Sequence, residues 1–323
     1  MKAVVRTRYG DSDVLRMTTL AQPVPRRNEV LVRVMAAGLD YGQWHLMAGK
    51  PYAMRLATGL RKPRQPVLGM DLSGVVEAVG AEVTRFKVGD AVFGASSRTY
   101  ADFASVREDE LCLKPARLSF EQAAAAAISG VTALVGLRDV AKVQPGQSVC
   151  VIGAGGGVGS FAIQLARHFG AEVAAVCSTS KVEFVRALGA TSVIDYTKQP
   201  LPTDGRFDVI LDLAGHRPLG MLRGALAPRG TLVLVGGEAG DRITGGMGRM
   251  LRALLWSVFL EQRLCMLVSF VKPEPLQALA DILALPGVTP AVDRVLPLEQ
   301  VADGMRALVS GRVRGKLVLR VAA

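Results

Sequence analysis

A strand, a glycine-rich turn and a helix stand in direct succession in the middle of this chain. Val149–Ile152 is a short apolar run of the kind found in buried parallel strands. Five of the next seven residues are glycine, and an amphipathic segment follows as far as Gly170. Glycines permit a tight turn and close backbone approach, and a helix N-terminus offers N–H groups to phosphates. The pattern predicts a dinucleotide site formed by Gly153, Gly155, Gly156, Gly157, Val158 and Gly159.

The glycine spacing is G-x-x-G-x-x-G, which differs from the strict G-x-G-x-x-G fingerprint. A glycine-rich connection without a ligand is therefore the alternative. The downstream sequence favours the first interpretation, because apolar strand candidates alternate there with a helix candidate. These segments are Glu172–Val176, Lys181–Leu188, Ser192–Ile194, Phe207–Leu213 and Thr231–Val235. They predict an α/β domain with a doubly wound parallel sheet.

The 323-residue length indicates two domains. The first hundred residues read as short strands broken repeatedly by proline and glycine, which favours a β-rich, barrel-like domain. Ser119 is a candidate N-cap with Gln122 three residues later, so we place the border there. The expected division is 1–118, completed by 287–323, and a nucleotide-binding domain over 119–286.

The net charge of +11 gathers partly in Arg61–Arg64 and along Arg306–Arg320. No aromatic platform accompanies these basic residues, so we expect no specific nucleic-acid partner. The four cysteines lack paired spacing, which is typical of a reducing cytoplasm. Met1–Val5 enters a strand-like pattern at once, without the features of a secretory signal.

Leu251–Val271 is the longest apolar region, but charged residues interrupt it. We interpret it as an amphipathic helix that serves as a lid or a dimer surface. Peripheral membrane contact is the alternative, and no transmembrane segment is expected.

Several motifs along the chain together resemble the medium-chain dehydrogenase/reductase superfamily, in its zinc-free quinone oxidoreductase-like branch. Besides the glycine turn they are PVLGMDLSGVVEAVG (Pro66–Gly80), FKVGDAVFG (Phe86–Gly94), EQAAAAAISGVTAL (Glu121–Leu134), ALGATSVIDY (Ala187–Tyr196), FDVILDLAG (Phe207–Gly215) and GRVRGKLVL (Gly311–Leu319). The resemblance implies a GroES-like catalytic domain joined to a Rossmann domain. It also implies a homodimer.

Zinc-dependent relatives hold their catalytic metal with Cys, His and Cys. The matching positions here are Asp40, Met70 and Ser129, a poor set for zinc. Cys112 is the only cysteine between Ser96 and Lys114. The structural zinc site of the zinc-dependent relatives would need four closely spaced cysteines there. We therefore expect no metal, and an acceptor that takes hydride without a Lewis acid.

NAD-binding Rossmann domains place an acidic residue at the tip of the second strand. Here that tip reads Ser178-Thr179-Ser180-Lys181 and carries no acid. Hydroxyl groups and a lysine suit a 2′-phosphate, so the sequence favours NADPH over NADH. An ordinary helix cap with a solvated lysine is the alternative reading of Ser178–Lys181.

The resemblance implies further cofactor contacts. It places Lys181 and Tyr196 beside the 2′-phosphate, and it matches Thr132 to a position that bonds near the nicotinamide ribose, with a helix threonine that bonds its own backbone as the alternative. Ala214 and Gly215 end a strand and should lie against the cofactor, and Gly236 and Gly237, at the end of the next strand, should approach the carboxamide. The resemblance adds Arg314 and Lys316 as a terminal cofactor-contact segment.

The polar candidates near the acceptor are Asp40, Tyr41, His45 and Tyr52, in the segment Gly38–Tyr52 that matches the family's nicotinamide-facing loop and helix. A tyrosine or histidine there could hydrogen-bond the acceptor oxygen or relay a proton. His45 could equally be a satisfied, partly buried histidine.

The sequence thus predicts a zinc-independent, NADPH-dependent oxidoreductase that transfers hydride to a quinone or an α,β-unsaturated carbonyl acceptor. One alternative is a 2-enoyl thioester reductase, for which Arg61–Arg64 could form a basic portal. The other is a catalytically weak, crystallin-like protein that binds NADPH or RNA.

Overall fold

The computed structural model describes residues 1–236 and 240–322. The strands in these ranges are β1 (Lys2–Val5), β2 (Arg16–Thr19), β3 (Glu29–Leu39), β4 (Asp71–Val79), β5 (Ala91–Ala95), β6 (Phe103–Arg107), β7 (Leu111–Leu113), β8 (Ser148–Ile152), β9 (Glu172–Cys177), β10 (Ser192–Asp195), β11 (Phe207–Asp212), β12 (Leu226–Leu234), β13 (Arg263–Met266), β14 (Val292–Pro297) and β15 (Lys316–Arg320). They form two large sheets and the β1–β2 hairpin.

The α-helices in the same ranges are α1 (Tyr41–Ala48), α2 (Arg55–Thr58), α3 (Phe120–Ala124), α4 (Ala127–Leu134), α5 (Gly157–His168), α6 (Val182–Ala187), α7 (Leu219–Ala225), α8 (Met247–Ser257), α9 (Pro273–Ala284) and α10 (Val301–Val309). A π-helical stretch, Val135–Ala141, continues α4. No helix in the described part of the chain combines the length and the apolarity that crossing a bilayer requires.

The first compact unit contains Met1–Val131, Phe270–Pro286 and Pro290–Ala323. Its sheet runs β14-β15-β3-β4-β5-β7, with β6 paired to β3 as well. The pairs are antiparallel except β14–β15. Valines and leucines of β3 and β4 form the centre of its core, together with residues of α10. β15 pairs with the end of β3, so the C-terminal residues return to the strand that leads into α1.

The first unit extends to Val131, beyond the border predicted at Ser119. The predicted cap is present: the Ser119 side chain accepts from the Gln122 N–H, and Gln122 reciprocates. However, α3 packs its alanines on the first sheet beside Ala36 and Val318, and Ser73 Oγ donates to the Phe120 carbonyl at 2.5 Å. A helix joins the unit on which it buries its apolar face, whatever the sequence character at its start.

The segment Phe270–Pro286, placed by the sequence in the nucleotide-binding domain, also belongs to the first unit. Within it, Gln277 Oε1 accepts from the Cys112 thiol at 3.4 Å, and the Leu285 carbonyl accepts from Arg117 Nε at 3.1 Å.

The second unit contains Thr132–Ser269 and Gly287–Thr289. Its sheet is parallel throughout, in the order β10-β9-β8-β11-β12-β13. The buried strands β8, β9 and β11 read as nearly continuous apolar runs, as a parallel sheet covered on both faces requires. The doubly wound sheet is as predicted.

The interpretation of Leu251–Val271 as one helix was wrong. α8 ends at Ser257, and Arg263–Met266 forms the edge strand β13 beside β12. Leu264 is buried between apolar neighbours of this sheet, and a four-residue strand leaves too short a pattern to be separated from the helix before it.

Candidate active site

The glycine turn lies at the carboxyl end of β8 and leads into α5, which begins at Gly157. Gly153 has a φ of +83°, a conformation that favours glycine. A Cβ at Gly159 would lie 2.4 Å from the Gly153 carbonyl oxygen and 2.6 Å from that of Ala154. Gly156 caps the helix, and the first N–H groups of α5 have no partner within the helix. The turn is therefore closely packed, and it leaves the first N–H groups of α5 without partners inside the helix.

The ends of β11 and β12 lie beside this turn. A Cβ at Gly153 would contact Leu213 Cβ at 3.3 Å, and the Gly236 N–H donates to the Asp212 carbonyl at 3.2 Å. Of the predicted residues, Ala214, Gly215 and Gly236 are thus brought to one edge of the sheet with the glycine turn. Gly237 lies outside the described residues.

Sequence reasoning missed an ion pair at this edge. Asp212 is fully buried at the end of β11, and Arg249 of α8 donates to its Oδ2 at 2.5 Å. The other carboxylate oxygen accepts from the Gly215 N–H at 3.2 Å. Arg249 also donates to the Arg217 carbonyl at 2.9 Å. This ion pair therefore attaches α8 to the end of β11, although Arg249 and Asp212 lie 37 residues apart in the chain.

The tip of β9 carries the residues predicted to hold a 2′-phosphate. Lys181 lies along the glycine turn: its Nζ is 3.4 Å from the Gly155 carbonyl, and a Cβ at Gly155 would approach its Cδ to 2.5 Å. Ser178 Oγ is 3.3 Å from Ser180 Oγ, and Tyr196 is 55% exposed at the end of the neighbouring β10. Lys181, Ser178 and Tyr196 therefore gather at one corner of the sheet.

Asp195, at the end of β10, was also missed. It accepts from Thr179 Oγ1 at 2.6 Å and from Thr197 Oγ1 at 2.7 Å. The Thr179 hydroxyl bond, with those from Thr197, lowers the pKa of Asp195. The Thr179 hydroxyl, predicted to donate to the 2′-phosphate, has a single proton. In this structure the hydrogen bond to Asp195 uses that proton. Lys198 Nζ lies 3.9 Å from the same carboxylate.

A different polar cluster occupies the first unit. Asp40 is the N-cap of α1, and its Oδ1 accepts from the Gln43 N–H at 3.1 Å. Its Oδ2 is buried, has no hydrogen-bond partner among residues 1–236 and 240–322, and lies 3.7 Å from Lys316 Nζ. Lys316, 2% exposed, donates to Asp71 Oδ2 at 2.9 Å. Asp71 Oδ1 accepts from the Ile128 N–H at 2.8 Å. The cluster holds two carboxylates and one ammonium in a buried place.

The cluster shifts the proton affinities of its members. Burial and the Asp40 charge raise the pKa of Asp71 to about 6, although Lys316 opposes the rise. Burial alone would lower the pKa of Lys316, but the two carboxylates raise it. The resemblance implies that Lys316 contacts the cofactor. In the structure its ammonium is instead bound to Asp71 and lies near Asp40, within the first unit. Arg314, two residues before it, is exposed.

The other acceptor-side candidates are spread along α1 and beyond it. The Tyr41 hydroxyl donates to the Leu308 carbonyl at 3.2 Å, toward α10. His45 Nδ1 is 2.8 Å from the Lys50 carbonyl, and burial lowers the pKa of the imidazole despite this bond. Tyr52 is 42% exposed, with the Arg55 guanidinium 4.8 Å from its ring centre. Thr132, which was predicted as a cofactor contact, is buried on α4. Of the four acceptor-side candidates, Asp40 is the one that belongs to the cluster with Asp71 and Lys316.

The residues present do not fit a catalytic zinc. Asp40 faces the Lys316 ammonium, and the other two matching positions offer a thioether and a hydroxyl in Met70 and Ser129. In the described ranges no three His, Cys, Asp or Glu side chains converge as metal donors. Zinc prefers thiolate, imidazole and carboxylate ligands, usually three of them from the protein.

Two family models match the chain: the alcohol dehydrogenase GroES-like domain over residues 26–117 and the zinc-binding dehydrogenase over residues 188–319. The quinone oxidoreductase of Sus scrofa is 30% identical over 340 residues, which cover 99% of this chain and 97% of that protein. The NADPH-dependent alkenal/one oxidoreductase of Arabidopsis thaliana, a chloroplastic protein, is 37% identical over 67% of this chain. The chain spans 58% of that relative's length.

A solved structure named as an NAD-dependent alcohol dehydrogenase covers 100% of both chains, with a TM-score of 0.86 and 30% identity. The two units and these matches define a dehydrogenase fold with a GroES-like and a Rossmann domain. The chain belongs to the medium-chain dehydrogenase/reductase superfamily, in its quinone oxidoreductase-like branch.

Proposed function

We propose that this protein is a zinc-independent reductase that uses NADPH to transfer hydride to a quinone or an α,β-unsaturated carbonyl. The observation that carries the proposal is the corner where Lys181 lies along the glycine turn and β9 ends without an acidic residue of its own. The names of the pig and Arabidopsis relatives support the same acceptor class and the same cofactor.

The second unit offers the groups that would hold NADPH. The N–H groups at the start of α5 would bind the diphosphate, and Lys181 and Ser178 would bind the 2′-phosphate. The strand ends at Ala214 and Gly236 would lie against the nicotinamide half. When bound, the cofactor supplies the hydride, and the protein's part is to position it and the acceptor.

We assign the proton side of the reaction to Asp40. Hydride addition to an enone leaves an enolate, and quinone reduction leaves a hydroquinone anion, so each needs a proton. Asp40 is our candidate because, among the described residues, its Oδ2 has no hydrogen-bond donor and lies 3.7 Å from Lys316 Nζ. We propose Lys316 and Asp71 as positioning residues, because Lys316 lies 3.7 Å from Asp40 Oδ2 and is itself held by Asp71 at 2.9 Å.

A panel of acceptors tests the proposal. NADPH oxidation should be rapid with quinones and enals and negligible with simple saturated ketones, in protein shown by metal analysis to lack stoichiometric zinc. NADH should be a much poorer donor. Stoichiometric zinc together with loss of turnover on chelation would contradict the proposal, as would a failure to bind NADPH.

We further propose a homodimer formed by the second unit. β13 is an edge strand of the parallel sheet, and α8 with the two residues after it carries an exposed apolar surface. Its members, here called the α8 surface, are Leu251, Leu255, Val258 and Phe259, which are 55% to 86% exposed. An unpaired edge next to exposed apolar side chains is covered in most native proteins.

We also propose a reducing compartment such as the cytoplasm. All four cysteines are free thiols, and three of them are buried.

A further inference from the structure

A cavity of about 500 Å³ lies within the second unit. Its lining combines charged, polar and apolar side chains, namely those of Arg138, Asp139, Lys142, Val143, Gln144 and Phe169. Pockets that bind small organic molecules have volumes of roughly 300–1,000 Å³ and combine apolar walls with a few polar groups. The cavity is therefore large enough for a ligand of its own.

The cavity lies at the edge of the parallel sheet opposite to the glycine turn. Lys142 and Gln144 belong to the loop that precedes β8, whereas the glycine turn follows this strand. Phe169 comes directly after α5, which begins at Gly157 of the turn. The 12 residues of this helix span about 18 Å. A small molecule in the cavity therefore leaves the glycine turn free for the cofactor.

Two unusual backbone features form one wall of the cavity. The stretch Val135–Ala141 is π-helical, and this rare type of helix occurs frequently at functional sites. Lys142 ends it with a φ of +56°, in the left-handed region where glycine is the usual residue. The Lys142 carbonyl accepts from Gln144 Nε2 at 2.8 Å, and the Gln144 N–H donates to Gln147 Oε1 at 2.9 Å. These bonds fix the loop that presents a lysine to the cavity.

The charges of the lining favour an anionic ligand. Arg138 donates to both oxygens of Asp139, at 2.6 and 3.0 Å, so this carboxylate already has a cation. Lys142 forms no ion pair with any residue in 1–236 or 240–322. Two cations therefore accompany one carboxylate in the lining. The surplus of one positive charge matches a carboxylate better than a phosphate monoester, which carries nearly two negative charges.

The remaining lining suits a flat apolar group. Val143 is 9% exposed, and Phe169, which is half-buried, contributes its ring to the cavity. An aromatic ring packs on another ring in an offset or edge-to-face arrangement, which adds to the gain from apolar burial.

We infer that this cavity is a second binding site, separate from the cofactor site, for a small aromatic carboxylate. Lys142 and Arg138 bind the carboxylate through charge-assisted hydrogen bonds, and Phe169 packs against the aromatic ring. The inference does not depend on the proposed function, because every residue of the lining lies away from the glycine turn.

Two matched compounds test the site. Naphthalene-2-carboxylate and naphthalene-2-carboxamide have nearly the same shape and differ in charge. Calorimetry on the full chain should show that the carboxylate binds one-to-one and at least tenfold more tightly than the carboxamide. This preference should persist in saturating NADPH. Equal affinity for the two compounds, or displacement of the carboxylate by NADPH, would overturn the inference.

Variants connect the preference to the lining. Lys142→Gly removes the surplus cation, and glycine suits the positive φ at this position, so the unfolding temperature should stay close to that of the wild type. Its affinity for the carboxylate should fall at least tenfold, to that for the carboxamide. Asp139→Asn should instead raise the affinity for the carboxylate, because it removes the opposing charge. Arg229→Ala, at an exposed site of the same unit, is the control and should bind like the wild type. Wild-type affinity in Lys142→Gly would overturn the inference.

Phe169→Leu tests the contact with the ring. Leucine keeps the end of α5 apolar but removes the aromatic face, so the affinities for the carboxylate and the carboxamide should fall together, by at least threefold. Unchanged affinity for both compounds would contradict the inference.

Kinetics separates this inference from the proposed function. If quinones and enals are reduced but the preference for the carboxylate is absent, the inference fails alone. If no acceptor is reduced but the preference persists and depends on Lys142, the proposed function fails and the second site stands.

Discussion

Lys316 is the cation that balances the buried carboxylates of Asp40 and Asp71. It lies 245 residues from Asp71 in the chain and donates to it at 2.9 Å. Removal of one partner of a buried ion pair leaves an uncompensated charge, at a cost of about 3–5 kcal/mol. We expect Lys316→Met to lower the free energy of unfolding by this amount, measured by thermal or urea unfolding.

The loss in Lys316→Met should depend on pH. The folded-state pKa of Asp71 is raised above its unfolded value, so ionisation of Asp71 costs stability as pH rises through that window. Without Lys316 the folded pKa rises further and the cost increases. The difference in stability between variant and wild type should therefore be smaller at pH 5 than at pH 8. The double variant D71N/K316M should recover part of the loss, and an equal loss at both pH values would contradict this account.

Lys181 should decide between the two nicotinamide cofactors. Its ammonium lies at the corner where we place the 2′-phosphate, which NADH lacks. A charge-assisted hydrogen bond contributes about 1.5–3 kcal/mol, so Lys181→Ala should raise KM for NADPH by roughly tenfold or more. KM for NADH should change little. Arg229→Ala, at an exposed site in the amino-terminal half of β12, is the control. Equal changes for both cofactors would place the 2′-phosphate elsewhere.

At the scale of elements, the strand-turn-helix unit β8–α5 is specified by backbone packing. Gly159 has no room for a side chain, because its Cβ would lie within 2.6 Å of two carbonyl oxygens that cannot move aside. Gly159→Ala should therefore shift the start of α5 and reduce NADPH affinity at least tenfold, as measured by fluorescence titration.

Gly220→Ala is the matched control for that change. Gly220 lies in α7, where an added Cβ would meet nothing within 4 Å. Alanine is the better helix former, so the control should keep its NADPH affinity and gain roughly 0.5–1 kcal/mol of stability. If both variants bind NADPH like the wild type, the turn is not the diphosphate site.

At the scale of the whole molecule, the oligomeric state tests the α8 surface. Phe259 is 86% exposed, the largest value among the α8-surface residues. A glutamate there would place a charge in the proposed dimer contact, so Phe259→Glu should sediment as a monomer where the wild type sediments as a dimer. Val88→Glu, at an exposed valine of the first unit, should remain dimeric. A monomeric wild type would refute the dimer.

Much of the fold was predictable because its signals are local. The glycine turn, the Ser119–Gln122 capping box and the alternation of apolar strands depend on residues within a few positions of each other. Candidate site residues that rest on the same local signals, such as Gly156 and Lys181, could be proposed with it, and their roles stay predictions. The strand β13 and the true end of the first unit were missed, because tertiary packing assigns them.

The sequence by itself determined the class of fold and the strand, glycine turn and helix at its centre, since each follows from residue type at close spacing. Only the tertiary structure decided which charges meet. Lys316 reaches Asp71, and Arg249 reaches Asp212. Such outcomes depend on how distant segments return to one another, and electrostatic energies change steeply with burial and distance, which no local pattern records.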